Sequence, residues 1–267
     1  MNNNHLISIV GAGPGDPELL TVKAHKRLTE ADVVLYDALH GKEMLKLARN
    51  DAELIYVGKF QGDGQCQHER QDNIHQKMAE LAARGKKVVR LKAGDPMVFG
   101  RGAEEIRFCK THGLNYEVIP GITAGVAASG LMEVPITERH KSPMALFYTG
   151  HRTDNSLSNI ESVIEVLKGN GTVTIYMGFK NIGLLSAKIM EAGIEPEMPV
   201  QVMSQVGQKE QSILSSTIGR IVSDIDKNKP VSPAVLFIGR YATPIAEEIN
   251  CGLTQLERNS TAELVST

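Results

Sequence analysis

The apolar pattern opens at residues 6–10, Leu-Ile-Ser-Ile-Val, a short run that stops at Gly11-Ala12-Gly13-Pro14-Gly15-Asp16. The spacing of Leu19, Leu20, Val22 and Ala24 then predicts a helix, with Asp16 as its N-cap and Pro17 at its first position. The same succession of strand, loop and helix recurs. Apolar runs at 33–36, 54–57, 87–91 and 116–119 predict strands, and the stretches 69–84 and from about 102 predict helices. Strands alternating with helices imply a mainly parallel sheet covered on both faces.

Pro120-Gly121 breaks this pattern, and a helix of small residues is expected over 123–131. Further strands are expected at 144–148, 172–176, 200–203, 212–215 and 234–238, with helices up to 168 and near 181–191 and 217–226. Two neighbouring strands around Gly207 read as a hairpin, so the second sheet should be mixed. After residue 246 the apolar content falls and the chain reads as a frayed tail. The fold class is therefore α/β, with an N-terminal α/β domain over 1–119, a C-terminal α/β domain with a mixed sheet over 120–246, and a polar tail over 247–267.

Composition narrows the function classes. A net charge of −2 supplies no broad basic field, which argues against a nucleic-acid partner and leaves any anionic ligand to local Lys and Arg. Cys66, Cys109 and Cys251 form no Cys-x-x-Cys pair and leave an odd thiol, which fits structural cysteines in a reducing, cytoplasmic setting. None of the eight histidines has ligand spacing, so no metal is expected. The start Met1–His5 has no targeting pattern and no apolar run approaches about 18 residues, so no membrane partner is expected.

Candidate chemistry gathers at glycine-rich strand ends: Gly11-Ala-Gly13-Pro-Gly15, Ala93-Gly94-Asp95-Pro96, Pro120-Gly121-Ile-Thr123 and Met177-Gly178. Ligands of open α/β sheets bind at the carboxyl ends of strands, where glycine lets them approach the backbone. Several such ends suggest one shared crevice, although any single glycine is more simply a turn. The first loop nearly matches a dinucleotide fingerprint, but Asp16 stands where a third glycine belongs and would repel a pyrophosphate. A cofactor without phosphate fits better.

A longer series of motifs carries a resemblance. In order these are residues 11–21, 31–37, 56–59, 90–105 (Arg-Leu-Lys-Ala-Gly-Asp-Pro-Met-Val-Phe-Gly-Arg-Gly-Ala-Glu-Glu), 118–123, 148–152 and 176–178. The series resembles the tetrapyrrole methylases, and within them the uroporphyrinogen-III C-methyltransferase branch, over residues 6 to about 240. The resemblance implies two α/β domains with S-adenosylmethionine in the cleft between them, and usually a homodimer. It implies transfer of methyl groups to carbons 2 and 7 of uroporphyrinogen III, giving precorrin-2 for sirohaem, cobalamin or haem d1 synthesis.

Carried over residue by residue, the resemblance places cofactor contacts at Pro14, Ala93, Gly94, Asp95, Val98, Thr123, Ala124, Met177 and Ala234. The implied acid–base pair is Asp37 and Lys59; without the resemblance these read as a capping carboxylate and a surface lysine. The implied substrate residues are Arg101, Glu104 and Arg139, with Arg101 binding a carboxylate or pyrrole because a guanidinium does not give up its proton. On spacing alone, Arg101 and Glu104 are a solvated i,i+3 ion pair. The chain departs from the usual motifs at Ala93, Glu138 and His140, the last two changing charge beside Arg139. Three rival readings are a methylase for a later corrin intermediate, a nicotinamide-dependent oxidoreductase and a non-catalytic tetrapyrrole carrier.

Overall fold

A computed structural model describes residues 6–37, 42–58, 67–150 and 157–249. The chain divides into two units after Ala124, five residues beyond the expected boundary at 119.

In the N-terminal unit, β1 (Ile7–Gly11), β2 (Val33–Tyr36), β3 (Glu53–Tyr56), β4 (Val88–Lys92) and β5 (Tyr116–Ile119) form a wholly parallel sheet in the order β3-β2-β4-β1-β5. Strands buried on both faces need apolar residues at every position, which is why they appear as continuous runs. One face packs Ile7, Ile9, Val33, Leu35 and Val88 against α3 (Gln67–Ala83) and α4 (Gly102–Thr111). The other packs Val10, Val34, Val89, Leu91 and Ile119 against α1 (Val22–Glu30).

The helix expected from Pro17 is split. Asp16 caps it as expected, accepting a hydrogen bond from the Glu18 N–H at 2.8 Å, but the capped element is only a 3-10 turn, Pro17–Leu19. Leu20 is extended, and Thr21 then caps α1 by accepting from the Ala24 N–H at 3.2 Å. Two caps five residues apart, with Leu20 extended between them, cannot serve one continuous helix. A further short helix, α2 (Lys42–Leu45), follows β2.

A charged knot fastens α1 to the sheet. Glu117 on β5 is 8 % exposed and accepts hydrogen bonds from Ser8 Oγ at 3.0 Å and from Arg27, with Lys23 Nζ at 2.8 Å. Burial alone would raise its pKa, but Arg27, Lys23 and Ser8 outweigh it and hold the carboxyl at about 2, against an ordinary 4.5. A carboxyl depressed in the folded state contributes stability that is present above its unfolded pKa and lost as pH falls toward its folded one. Glu117→Gln should therefore lower stability at neutral pH by about 2–3 kcal/mol, as for loss of a charge-assisted hydrogen-bond partner. Urea titrations should also show the variant losing less stability than the wild type between about pH 4.5 and 2.

The C-terminal unit begins with α5 (Ala124–Leu131), which straddles the division, and holds β6 (Ala145–Thr149), α6 (Ile160–Lys168), β7 (Thr172–Tyr176), α7 (Ile182–Glu191), β8 (Pro199–Ser204), β9 (Ser212–Thr217), α8 (Ile221–Asn228) and β10 (Ala234–Ile238). The sheet order is β6-β7-β10-β8-β9, with β6 and β7 parallel and the other pairs antiparallel. It is thus mixed, with β8 and β9 as the hairpin around Gly207. Residues 245–249, partly within the expected tail, are helical, and the tail from 250 lies outside the described residues.

Candidate functional site

Adjacent central strands β1 and β4 send their chains toward opposite edges of the sheet, β1 toward β2 and β4 toward β5. Such a reversal is where open α/β sheets place their ligand crevice, beyond the carboxyl ends. The loops there cross with almost no room. Gly13 and Gly94 form a two-bond bridge, Gly13 N–H to Gly94 O at 3.1 Å and Gly94 N–H to Gly13 O at 2.8 Å. Both have positive φ, +73° and +62°. A Cβ on Gly121 would lie 2.2 Å from Gly94 O, and one on Gly11 would lie 2.5 Å from Gly121 N. Three chain segments therefore meet backbone to backbone, as only glycine allows.

Asp95 holds this crossing together. Its Oδ1 accepts from the Met97 N–H at 2.7 Å and its Oδ2 from the Gly121 N–H at 3.0 Å. Thr123, 7 % exposed, has its Cα 3.5 Å from where a Gly94 Cβ would be. Pro14, Ala93, Gly94, Asp95 and Thr123, which the resemblance implies as cofactor contacts, thus belong to loops at the ends of β1, β4 and β5, and Ala124, implied with them, opens α5. Val98 is in the same β4 loop, its N–H donating to Asp95 O at 3.3 Å.

That loop ends in a left-handed pair, Phe99 at φ 53° and Arg101 at φ 59°, before α4 begins at Gly102. Arg101 precedes the helix rather than opening it. Its guanidinium still reaches Glu104, Nε to Oε1 at 2.9 Å and Nη2 to Oε2 at 2.6 Å, a bidentate pair that raises the pKa of the arginine and lowers that of the glutamate. The spacing argument for this pair therefore describes its geometry.

Asp37 follows the end of β2, and its Oδ2 accepts from Arg90 Nη2 at 3.3 Å. Lys59 lies outside the described residues. Arg90 belongs to a buried charged set that the sequence reading did not single out. Arg90 and Lys92 of β4 point to the α3/α4 face, and Glu105 of α4 is fully buried between them. Glu105 Oε1 accepts from Arg90 Nε at 3.1 Å, Lys92 Nζ at 2.8 Å and Gln71 Nε2 at 3.3 Å, while Oε2 has no partner among the described residues. Burial raises the Glu105 pKa less than Arg90 and Lys92 lower it, and burial followed by Arg90 lowers that of Lys92. The signal was available, because a charge inside a strand covered on both faces must find a buried partner.

In the C-terminal unit, Met177 follows β7 with φ 54° and is 53 % exposed, and Gly150 N–H donates to Tyr176 O at 2.8 Å. A Cβ on Gly150 would lie 2.4 Å from Gly178 Cα, so two strand ends approach here as well. Ala234, half-buried, opens β10. Arg139 is exposed in a turn closed by the Glu138 and Ser142 backbones. Cys109 is buried and reduced, its thiol pushed up to about 11 by burial, which removes it as a nucleophile; Cys66 and Cys251 lie outside the described residues. Among the described residues no group of three or more His, Cys, Asp or Glu could hold a metal, and no helix is long and apolar enough to cross a membrane.

The chain is similar over most of its length to known proteins. A uroporphyrinogen-III C-methyltransferase of Methanocaldococcus jannaschii is 41 % identical over 235 residues, which cover 87 % of this chain and 95 % of that protein. A siroheme synthase of Psychrobacter sp. is 40 % identical over 88 % of this chain and 47 % of its own, so the chain spans about half the length of the siroheme synthases that it matches. The uroporphyrin-III C-methyl transferase of Thermus thermophilus complexed with S-adenyl homocysteine has a TM-score of 0.73 at 31 % identity, covering 88 % of this chain and 92 % of that one. The model of the tetrapyrrole (corrin/porphyrin) methylases matches residues 6–222, and the chain belongs to that family.

Proposed function

We propose that this chain transfers methyl groups from S-adenosylmethionine to carbons 2 and 7 of uroporphyrinogen III, giving precorrin-2, and that it acts as a cytoplasmic homodimer. The observation that carries the reading is the meeting of Gly11, Gly94 and Gly121, which brings the loops at the carboxyl ends of β1, β4 and β5 together at the reversal of strand order in a chain of this family. Backbone N–H and C=O groups of loops at such strand ends suit an uncharged ribose and a zwitterionic amino-acid end. S-adenosylmethionine supplies an electrophilic methyl group whose sulfonium charge disperses during transfer, so catalysis is chiefly alignment of donor and acceptor. Asp16 speaks against the nicotinamide reading, since its carboxylate caps the 3-10 turn where a pyrophosphate would have to bind.

In this reading Pro14, Ala93, Gly94, Asp95, Val98, Thr123 and Ala124 hold the cofactor, with Ala234 a further contact and backbone around Met177 meeting the adenine edge. Asp37 accepts the proton that leaves when a pyrrole carbon is methylated, and Lys59 is its acid partner. Arg101, oriented by Glu104, and Arg139 bind carboxylates of the octa-anionic substrate, which needs a locally positive rim on a protein of net charge −2. Asp95→Ala should weaken S-adenosylhomocysteine binding by about ten- to a hundredfold in calorimetry, because it frees both the Met97 and the Gly121 N–H groups. Unchanged affinity in the folded variant would remove Asp95 from the cofactor site.

The test of the whole reading is mass spectrometry of uroporphyrinogen III incubated with S-adenosylmethionine. A species carrying one added methyl should rise and fall before one carrying two, because carbons on different rings must be presented in turn to one site. A product that stops at one methyl would indicate a later corrin methylase, and no added methyl a carrier.

A further inference from the structure

We propose that Glu105 is a positioning residue that acts through Arg90 to hold the Asp37 carboxylate in place. The inference rests on the reading of Asp37 as the proton acceptor and adds the groups that aim it. Arg90 lies in the middle of the sheet, opposite Ile9 and Leu35, and is 3 % exposed. Its planar fork is fixed at four points: Nε to Glu105, Nη1 to Leu35 O at 3.4 Å and Leu91 O at 3.0 Å, and Nη2 to Asp37. A planar group cannot swing one arm without moving the others, so Glu105 at one end sets where Nη2 stands at the other.

The other groups around Glu105 come from β4 and α3. Lys92 of β4 shares Glu105 Oε1, Gln71 of α3 donates to the same atom, and His75 lies 3.1 Å from Gln71 through its Nε2. Glu105 itself sits in the first turn of α4, immediately after the loop that carries Ala93, Gly94 and Asp95. One carboxylate therefore ties the start of α4, strand β4 and the end of β2 into one unit. Fold stability alone does not call for such a set, because buried ions are commonly replaceable by apolar side chains without loss. What an apolar set could not do is present a guanidinium to Asp37.

The test is a double-mutant cycle on methyl transfer with Glu105→Gln and Asp37→Asn, together with S-adenosylhomocysteine affinity for each variant. Glu105→Gln should lower kcat by about tenfold with affinity unchanged, and should lower it by less than about twofold when Asp37 is already Asn. Equal loss in both backgrounds would overturn the proposal, because Glu105 would then act independently of Asp37. Full turnover by Asp37→Asn alone would instead overturn the proton-acceptor reading on which the proposal rests. Where Asp37→Asn turns over too slowly for a cycle, the carboxyl 13C signal of Asp37 reads the coupling directly. It should move in Glu105→Gln while that of Asp224 stays, and an unmoved Asp37 signal would overturn the proposal. If Glu105→Gln does not fold, Arg90→Lys takes its place, keeping the charge but unable to reach both carboxylates.

Discussion

Gly121→Ala should abolish measurable S-adenosylhomocysteine binding and destabilise the N-terminal unit by about 3 kcal/mol or more, at the upper end of overpacking costs. The added Cβ would lie 2.2 Å from Gly94 O and 2.8 Å from Gly11 Cα, and both obstacles are backbone that cannot rotate away. Relief would require the loops after β1, β4 and β5 to part, which breaks the Gly13–Gly94 bridge and the Asp95 bond to Gly121. Two other glycines separate this effect from general ones. A Cβ on Gly85 meets nothing within 4 Å, but its φ of +72° makes Gly85→Ala a test of backbone strain alone, with a cost of about 1–2 kcal/mol. Gly130→Ala, in α5 with open space and no positive φ, should instead stabilise by up to about 1 kcal/mol. Circular dichroism melts with calorimetry of the three variants check the order. A Gly121→Ala protein that binds normally would mean that the crossing is not the cofactor's seat.

Why the crossing had to await the structure is a matter of range. Gly11, Gly94 and Gly121 each end a strand, and each is visible locally as a stop to an apolar run. That they touch depends on the strand order β4-β1-β5, which no local pattern encodes. The strands themselves were legible because burial on both faces leaves runs such as Val33–Tyr36 without polar interruption. The four residues of α2 span barely one turn, too little for a period to appear. The split after Leu19 has no local mark, because Asp16-Pro17 is a sound start signal and the second cap at Thr21 lies within an apolar spacing that runs on past it. Asp37, Arg101 and Glu104 were named from resemblance, and the pairing of Arg101 with Glu104 also from spacing. Arg90, Lys92 and Glu105 lie within the motif over 90–105, and the sign of their pairing is that two charges in a covered strand are a physical anomaly.

The same anomaly gives the second large effect. Glu105→Leu should cost about 3–5 kcal/mol, because it leaves Arg90 and Lys92 buried side by side without their shared anion. The triple variant Arg90→Met, Lys92→Met, Glu105→Leu should cost less than this single one, since it removes the uncompensated charges together with their partner. Protonation sharpens the contrast. Burial and Arg90 already lower the Lys92 pKa, so the unfolded chain binds that proton more tightly than the folded one, and stability rises with pH across the interval between the two values. Without Glu105 the interval widens, so the deficit of Glu105→Leu should be greatest near neutrality and shrink as pH approaches 10, whereas that of the triple variant, lacking Lys92, should not follow this course. Urea titrations at several pH values measure both, with the two units allowed separate transitions. A triple variant less stable than Glu105→Leu at every pH would mean that the ions hold the fold rather than aim Asp37, and the stable but inactive triple protein expected here would mean the reverse.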